Sequence, residues 1–119
     1  MSRRMERVNV LLRKEISNVI ANQLNDPRLS HLISVVRVET SADLAYARVY
    51  ISIMADPDVK KTAIKALESA SGFIYRIVKK RVILRAMPYL TFYLDESIER
   101  GTEMLDMIDQ AMAQLETTE

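Results

Sequence analysis

Eight cations, Lys60, Lys61, Lys65, Arg76, Lys79, Lys80, Arg81 and Arg85, fall between residues 60 and 85 against a single acid, Glu68. Lysine and arginine at that density neutralise phosphates and release counterions, so the chemistry they suggest is salt-sensitive nucleic-acid binding. A solvated basic face is the plainer account, and clustering alone does not choose between the two. One of only two glycines in the chain, Gly72, stands inside this stretch, between two segments that read as helix. Glycine costs about 1 kcal/mol relative to alanine in a helix interior. A sharp bend made by Gly72, its rim kept small by Ala70 and Ser71, would let a ligand backbone approach closely. A plain helix C-cap with tight packing is the competing reason for the same glycine.

Other chemistry is sparse. The one histidine, His31, follows a polar loop and reads as an ordinary surface residue. Serines abound, but without a second histidine or any cysteine a nucleophile–base pair is not expected. Asp95, Glu96, Glu99 and Glu103 could in principle hold a hard cation, but a charged helix face is the simpler reading. No glycine-rich phosphate loop is present. No cofactor is implied and no enzyme is expected. The absence of cysteine removes disulfides and thiolate metal sites, and no apolar run reaches membrane-spanning length. A cytoplasmic location is the simplest expectation.

The formal net charge of +1 conceals an asymmetry: residues 1–94 carry a balance of +8 and residues 95–119 a balance of −7. Such a basic body with an acidic C-terminal segment suits a protein that meets a polyanion on one side.

The elements that must position these groups follow from periodicity. Val8, Leu12, Ile16 and Val19/Ile20 recur at helical spacing over residues 3–24, with Arg3, Arg7 and Lys14 opposite. Asn25-Asp26-Pro27 breaks that helix. Residues 33–53 read as strand, turn and strand, with Ala45, Ala47, Val49, Ile51 and Ile53 on one face and Ser41–Asp43 as the turn. Asp56-Pro57 is an N-cap followed by proline at the first helical position. Two helical stretches flank Gly72, the second carrying Arg76, Lys79 and Lys80 on one face. Residues 89–95 alternate again as a third strand. From Ile98 through Gly101, Leu105, Ile108, Met112 and Leu115 the spacing predicts an amphipathic helix capped by Ser97, its stripe packed on the protein's own sheet. The last residues are expected to fray. At 119 residues this makes one domain of α+β class, in the order α-β-β-α-kink-α-β-α, with a three-stranded mixed sheet and helices packed on one face.

In this arrangement Tyr46 and Tyr50 share a sheet face with Tyr89 and Tyr93. Exposed aromatics can stack unpaired bases. Coverage by a terminal helix, or pairing across strands, is the reading the residues favour.

Several short motifs, in order and at matching spacing along nearly the whole chain, resemble the ribosome-binding factor A family. They are Arg7-Val8, Asp26–Arg28, the hairpin Val38–Ser52, Ala70–Ile74, and the run Leu84–Ser97 with its Leu-Arg-x-x-Pro-x-Leu-x-Phe-x-x-Asp-x-Ser pattern. The resemblance implies a type II KH-like fold in which an Ala-x-Gly bend replaces the Gly-x-x-Gly loop. It also implies a non-enzymatic RNA-binding factor that joins the free small ribosomal subunit, supports late maturation and processing of its RNA precursor, and matters for growth in the cold. Ribosomal proteins and a GTP-hydrolysing release factor are further partners it suggests. Two departures stand out. The family usually places arginine three residues after the bend glycine, where this chain has Tyr75 and then Arg76. The longer charged tail of some members is missing after Leu115.

The residues expected to meet RNA are therefore Ala70, Ser71 and Gly72 at the bend, and Arg76, Lys79, Lys80, Arg81 and Arg85 beyond it. Arg3, Arg4, Arg7 and Lys14 would extend the footprint along the first helix, with Arg28 nearby. Two rivals remain. One is a small nuclease or RNA-modifying enzyme built around Asp95 and Glu99. The other is a protein-interaction module using the last helix; otherwise a monomer is expected.

Overall fold

A computed structural model of the chain describes residues 2–29 and 32–117; His31 lies outside the described residues. The first helix, α1, spans Arg3–Asn22 and starts where the Ser2 hydroxyl accepts the Met5 amide at 3.2 Å. Its buried row is Val8, Leu12, Ile16 and Val19, as the spacing predicts. A single 3-10 turn, Pro27–Leu29, follows the proline break.

Strands β1 (Leu32–Thr40) and β2 (Tyr46–Met54) pair antiparallel, and β3 (Tyr89–Leu94) pairs parallel to β2, giving the order β1-β2-β3. The β1 register slips between Val35 and Arg37. Two adjacent valines, Val35-Val36, break strict alternation. The bulge absorbs the extra residue so that Val35 and Val38 both reach the core. The Arg13 side chain donates to the Val35 carbonyl at 3.2 Å, satisfying an acceptor beside the irregularity.

The hairpin connection, residues 41–45, is longer than the expected Ser41–Asp43 turn. Asp43 accepts from the Ser41 hydroxyl at 2.7 Å and from the Ala45 amide at 3.0 Å. Leu44 takes a positive φ of 60°, unusual for a branched residue, while its side chain is buried. Burial of the leucine offsets the backbone strain.

Helices α2 (Pro57–Ser69) and α3 (Ser71–Arg81) form the crossover between the parallel strands. Asp56 is the N-cap of α2 and Pro57 its first residue, as expected. Helices α1, α2 and α3 cover one face of the sheet. Leu12, Ile16, Val49, Ile51, Ile53, Leu67, Ile74 and Val78 fill the layer between them.

Helix α4 (Ser97–Thr117) departs from expectation. The described part of its apolar face is exposed rather than packed on the sheet: Met104 is 65% exposed, Leu105 63%, Ile108 49% and Met112 57%. The sheet's core face is already filled by three helices, which leaves no apolar surface for a fourth. The arm lengthens the molecule, whose extents are 64 × 37 × 19 Å. Ser97 is the first residue of α4 rather than its cap. Its amide is held at 2.8 Å by the Asp95 carboxylate, which also accepts from Arg37 at 2.9 Å.

Candidate nucleic-acid interface

The bend is made by Ala70, not by Gly72. Ala70 is at once the last cap of α2 and the first cap of α3, with φ −88° and ψ 0°. Its amide donates to the Ala66 and Leu67 carbonyls at 3.0 and 3.1 Å, and its own carbonyl accepts from Ile74 at 2.9 Å. One residue in the bridge region thus closes one helix and opens the next. Gly72 lies inside the first turn of α3, and no glycine has positive φ. A Cβ built there would meet nothing nearer than the Arg76 guanidinium, at 4.0 Å. Neither backbone strain nor protein packing therefore requires glycine at this place, and the C-cap explanation falls with them. Ala70 has no side-chain acceptor to offer the first-turn amides of α3, and such a terminus favours an anion from outside.

Around this point α3 arranges its cations. At about 100° per residue, Lys79, Gly72, Arg76 and Lys80 share an arc of about 100°. All four are exposed. Arg76, four residues after Gly72, turns back so that its guanidinium lies against the glycine. The one-residue displacement of the arginine leaves Tyr75 to face the sheet, where its ring stacks on Tyr89 at 5.9 Å.

The remaining expected residues divide into three groups. Arg81 faces α1, with its guanidinium 3.9 Å from Glu15, so part of its charge is answered within the protein. Arg4, Arg7 and Arg85 come together around a cleft of about 550 Å³ floored by Val8, Leu11 and Leu44. Arg3 and Lys14 continue along the outer face of α1 beside Arg7. Arg28 is not brought to the cluster. It sits beside Asp58 and Thr62, at the far end of α2 from the bend, and is tied to Asp26 at 2.8 Å. That hydrogen bond holds the Asp26 carboxyl below its ordinary value and raises the Arg28 guanidinium.

Lys60 leaves the basic face altogether, because it is buried. It heads the inward row that continues through Ala63 and Leu67, a spacing the sequence displays. Of the nuclease reading's carboxylates, Asp95 is held by Arg37 and the Ser97 amide, and the Glu99 side chain lies outside the described residues. No group of three potential metal ligands occurs among the described residues.

The tyrosine face of the sheet was expected to be covered by a terminal helix or paired across strands. Tyr46–Tyr89 and Tyr50–Tyr93 are register partners, as the alternation implied, with ring centroids 6.4 and 5.7 Å apart. They pair across strands, and Tyr46, Tyr89 and Tyr93 stay exposed, with Tyr75 of α3 touching Tyr89.

The sequence pattern of the family described as ribosome-binding factor A matches residues 4–108. The chain belongs to that family. Its relatives named ribosome-binding factor A include one from Acetivibrio thermocellus, 45% identical over 93% of this chain and 90% of the relative. Another, from Clostridium novyi, is 46% identical over 88% of this chain and 87% of the relative. Among solved structures, the crystal structure of ribosome-binding factor A from Thermus thermophilus is similar with a TM-score of 0.69 and 26% identity, covering 78% of this chain and 97% of that one. A homology model of the Thermus thermophilus factor, fitted into a cryo-electron-microscopy map of a 30S complex, gives a TM-score of 0.62 at 27% identity, over 74% of this chain and 91% of that one. The fold expected for the family, α+β with a three-stranded mixed sheet, is the fold observed.

Proposed function

We propose that this chain is a single-domain, non-enzymatic RNA-binding factor that joins the free small ribosomal subunit and supports late maturation and processing of its ribosomal RNA, with most effect in the cold. The related factor fitted into a 30S complex supports the choice of partner. The fold is read as a type II KH-like domain whose Ala70–Gly72 bend replaces the Gly-x-x-Gly loop. No described helix is long and apolar enough to cross a membrane, which is compatible with a cytoplasmic site of action.

One observation carries the reading: a glycine the protein itself does not need, exposed and flanked by Arg76, Lys79 and Lys80. A sugar-phosphate chain is a partner that uses both the missing side chain and the surrounding charge. Phosphate contacts of this kind fix orientation and carry little sequence information. Arg4, Arg7 and Arg85 would take a second stretch of backbone. Basic ribosomal proteins and a GTP-hydrolysing release factor remain partners for the exposed acidic helix α4.

Replacing Arg76, Lys79 and Lys80 together with glutamine tests the face. The variant is expected to bind 30S subunits at least tenfold more weakly and to show a shallower dependence on salt, since each lost phosphate contact flattens the slope by about one. Co-sedimentation across a salt titration measures both. Wild-type affinity and slope in the folded variant would refute the proposed face.

A further inference from the structure

A chain of ring contacts leads from half-buried Tyr75 on α3 to Tyr89 and Tyr46 on the open side of the sheet. Lys79 stands 5.8 Å above the ring of Tyr75. Tyr75 stacks on Tyr89 at 5.9 Å with planes 18° apart, and Tyr89 lies 6.4 Å from Tyr46. Tyr46 is 63% exposed and Tyr89 68%, so each ring keeps most of its surface bare. Arg48 and Thr91, register partners next along the strands, are exposed beside them. A hollow bordered by Glu39, Tyr46, Arg48, Thr91 and Tyr93 continues the row.

Charge selects the occupant. On this face Glu39 accepts from Arg37 at 3.2 Å and from the Tyr50 hydroxyl at 3.3 Å, and Asp95 accepts from Arg37 at 2.9 Å. Arg37 also covers the Tyr50 ring at 4.0 Å. The corner nearest α4 is therefore closed by Arg37 and Asp95, with Glu39 reaching Arg37 from the neighbouring row. Arg48 lies opposite Glu39 in the register, but Glu39 is bonded to Arg37 and Tyr50, and neither Arg48 nor Lys79 has an ion pair among the described residues. The exposed rings of Tyr46 and Tyr89, beside cations that form no ion pair, match unpaired nucleotides, whose bases stack on rings while their phosphates meet the cations. An apolar protein helix would leave those cations unmatched.

We propose that the Tyr75–Tyr89–Tyr46 row is a second RNA-contacting surface, on which unpaired bases stack, joined to the basic bend through Lys79. The proposal rests on the RNA-binding function and extends it from backbone contact to single-strand recognition. The strand enters over α3 and stops before the corner held by Arg37, where the acidic α4 begins.

The chain has five tyrosines and no tryptophan, so its intrinsic emission is tyrosine emission. The full chain is titrated with a 12-nucleotide oligouridine and, separately, with a 12-base-pair RNA duplex. The single strand is expected to quench the emission and the duplex to leave it nearly unchanged. Tyr46→Leu/Tyr89→Leu should bind the single strand about tenfold or more weakly, with duplex affinity unaltered. Tyr46→Phe/Tyr89→Phe, which keeps the rings, should retain the affinity. Far-UV circular dichroism confirms that both variants fold. Single-strand affinity unchanged in the leucine variant overturns the stacking surface, while loss of binding in the Arg76/Lys79/Lys80 variant would leave the RNA function standing. Failure of the wild-type chain to bind either RNA overturns both. A leucine variant altered in sedimentation but not in RNA affinity overturns it in favour of self-association.

Discussion

Gly72 shows how a single residue can be understood only with its surroundings. The sequence marks it as unusual and places it between two helices, but it lies within the first turn of the second. It does not reveal that the neighbouring alanine takes the non-helical torsion, because Ala70 has no compositional signal for a bend. The space around Gly72 gives a divided expectation. Gly72→Ala should stabilise the fold by about 0.5–1 kcal/mol, since the backbone is helical there and the Cβ position is open. The same substitution should weaken 30S binding severalfold, because the methyl group occupies the approach of a sugar-phosphate chain. Thermal unfolding and co-sedimentation measure the two effects, and a stabilised variant with full binding would remove the need for close approach. Lys60 is the opposite case. Its place at the head of the row Ala63–Leu67 was readable, but charge suggested exposure, and the tertiary layer overrode that.

At the level of elements, most boundaries were readable because their signals are local: Pro27, the Asp56-Pro57 start, alternation in the strands, and the row Val8–Val19. The bulge in β1 was hinted at by Val35-Val36, yet its register depends on the partner strand. The fate of α4 was not readable. Amphipathicity states that a stripe wants covering, never which surface covers it. The start of α4 depends on Asp95, whose carboxyl is held below the ordinary value of 3.8 by the Ser97 hydroxyl, the Ser97 amide and Arg37. A lowered folded pKa means the contribution is complete above the unfolded value and disappears as pH falls through the folded one. The first turn of α4 should therefore loosen in acid below about pH 4, and not between pH 5 and 8. Amide hydrogen exchange should show Asp95→Asn producing the same loosening at neutral pH, with β1–β2 protection preserved.

For the whole molecule, the basic body and the acidic arm are separate features of one elongated shape. The exposed residues Met104, Leu105, Ile108 and Met112 raise the question of self-association. Light scattering is expected to give the monomer mass of 13.7 kDa at micromolar concentration, because two arms of like charge repel each other. A stable dimer would instead make α4 an interface between copies. The arm's projection has a further result. Positive and negative charge held apart on a long axis form a permanent electric dipole. Near a large polyanion such a rod feels torque before it feels contact, and turns its cationic end inward with the arm trailing. At 0.1 M salt that field decays within about 10 Å, well short of the 64 Å axis. Alignment therefore begins only in the final approach, and added salt should slow capture more than it hastens escape.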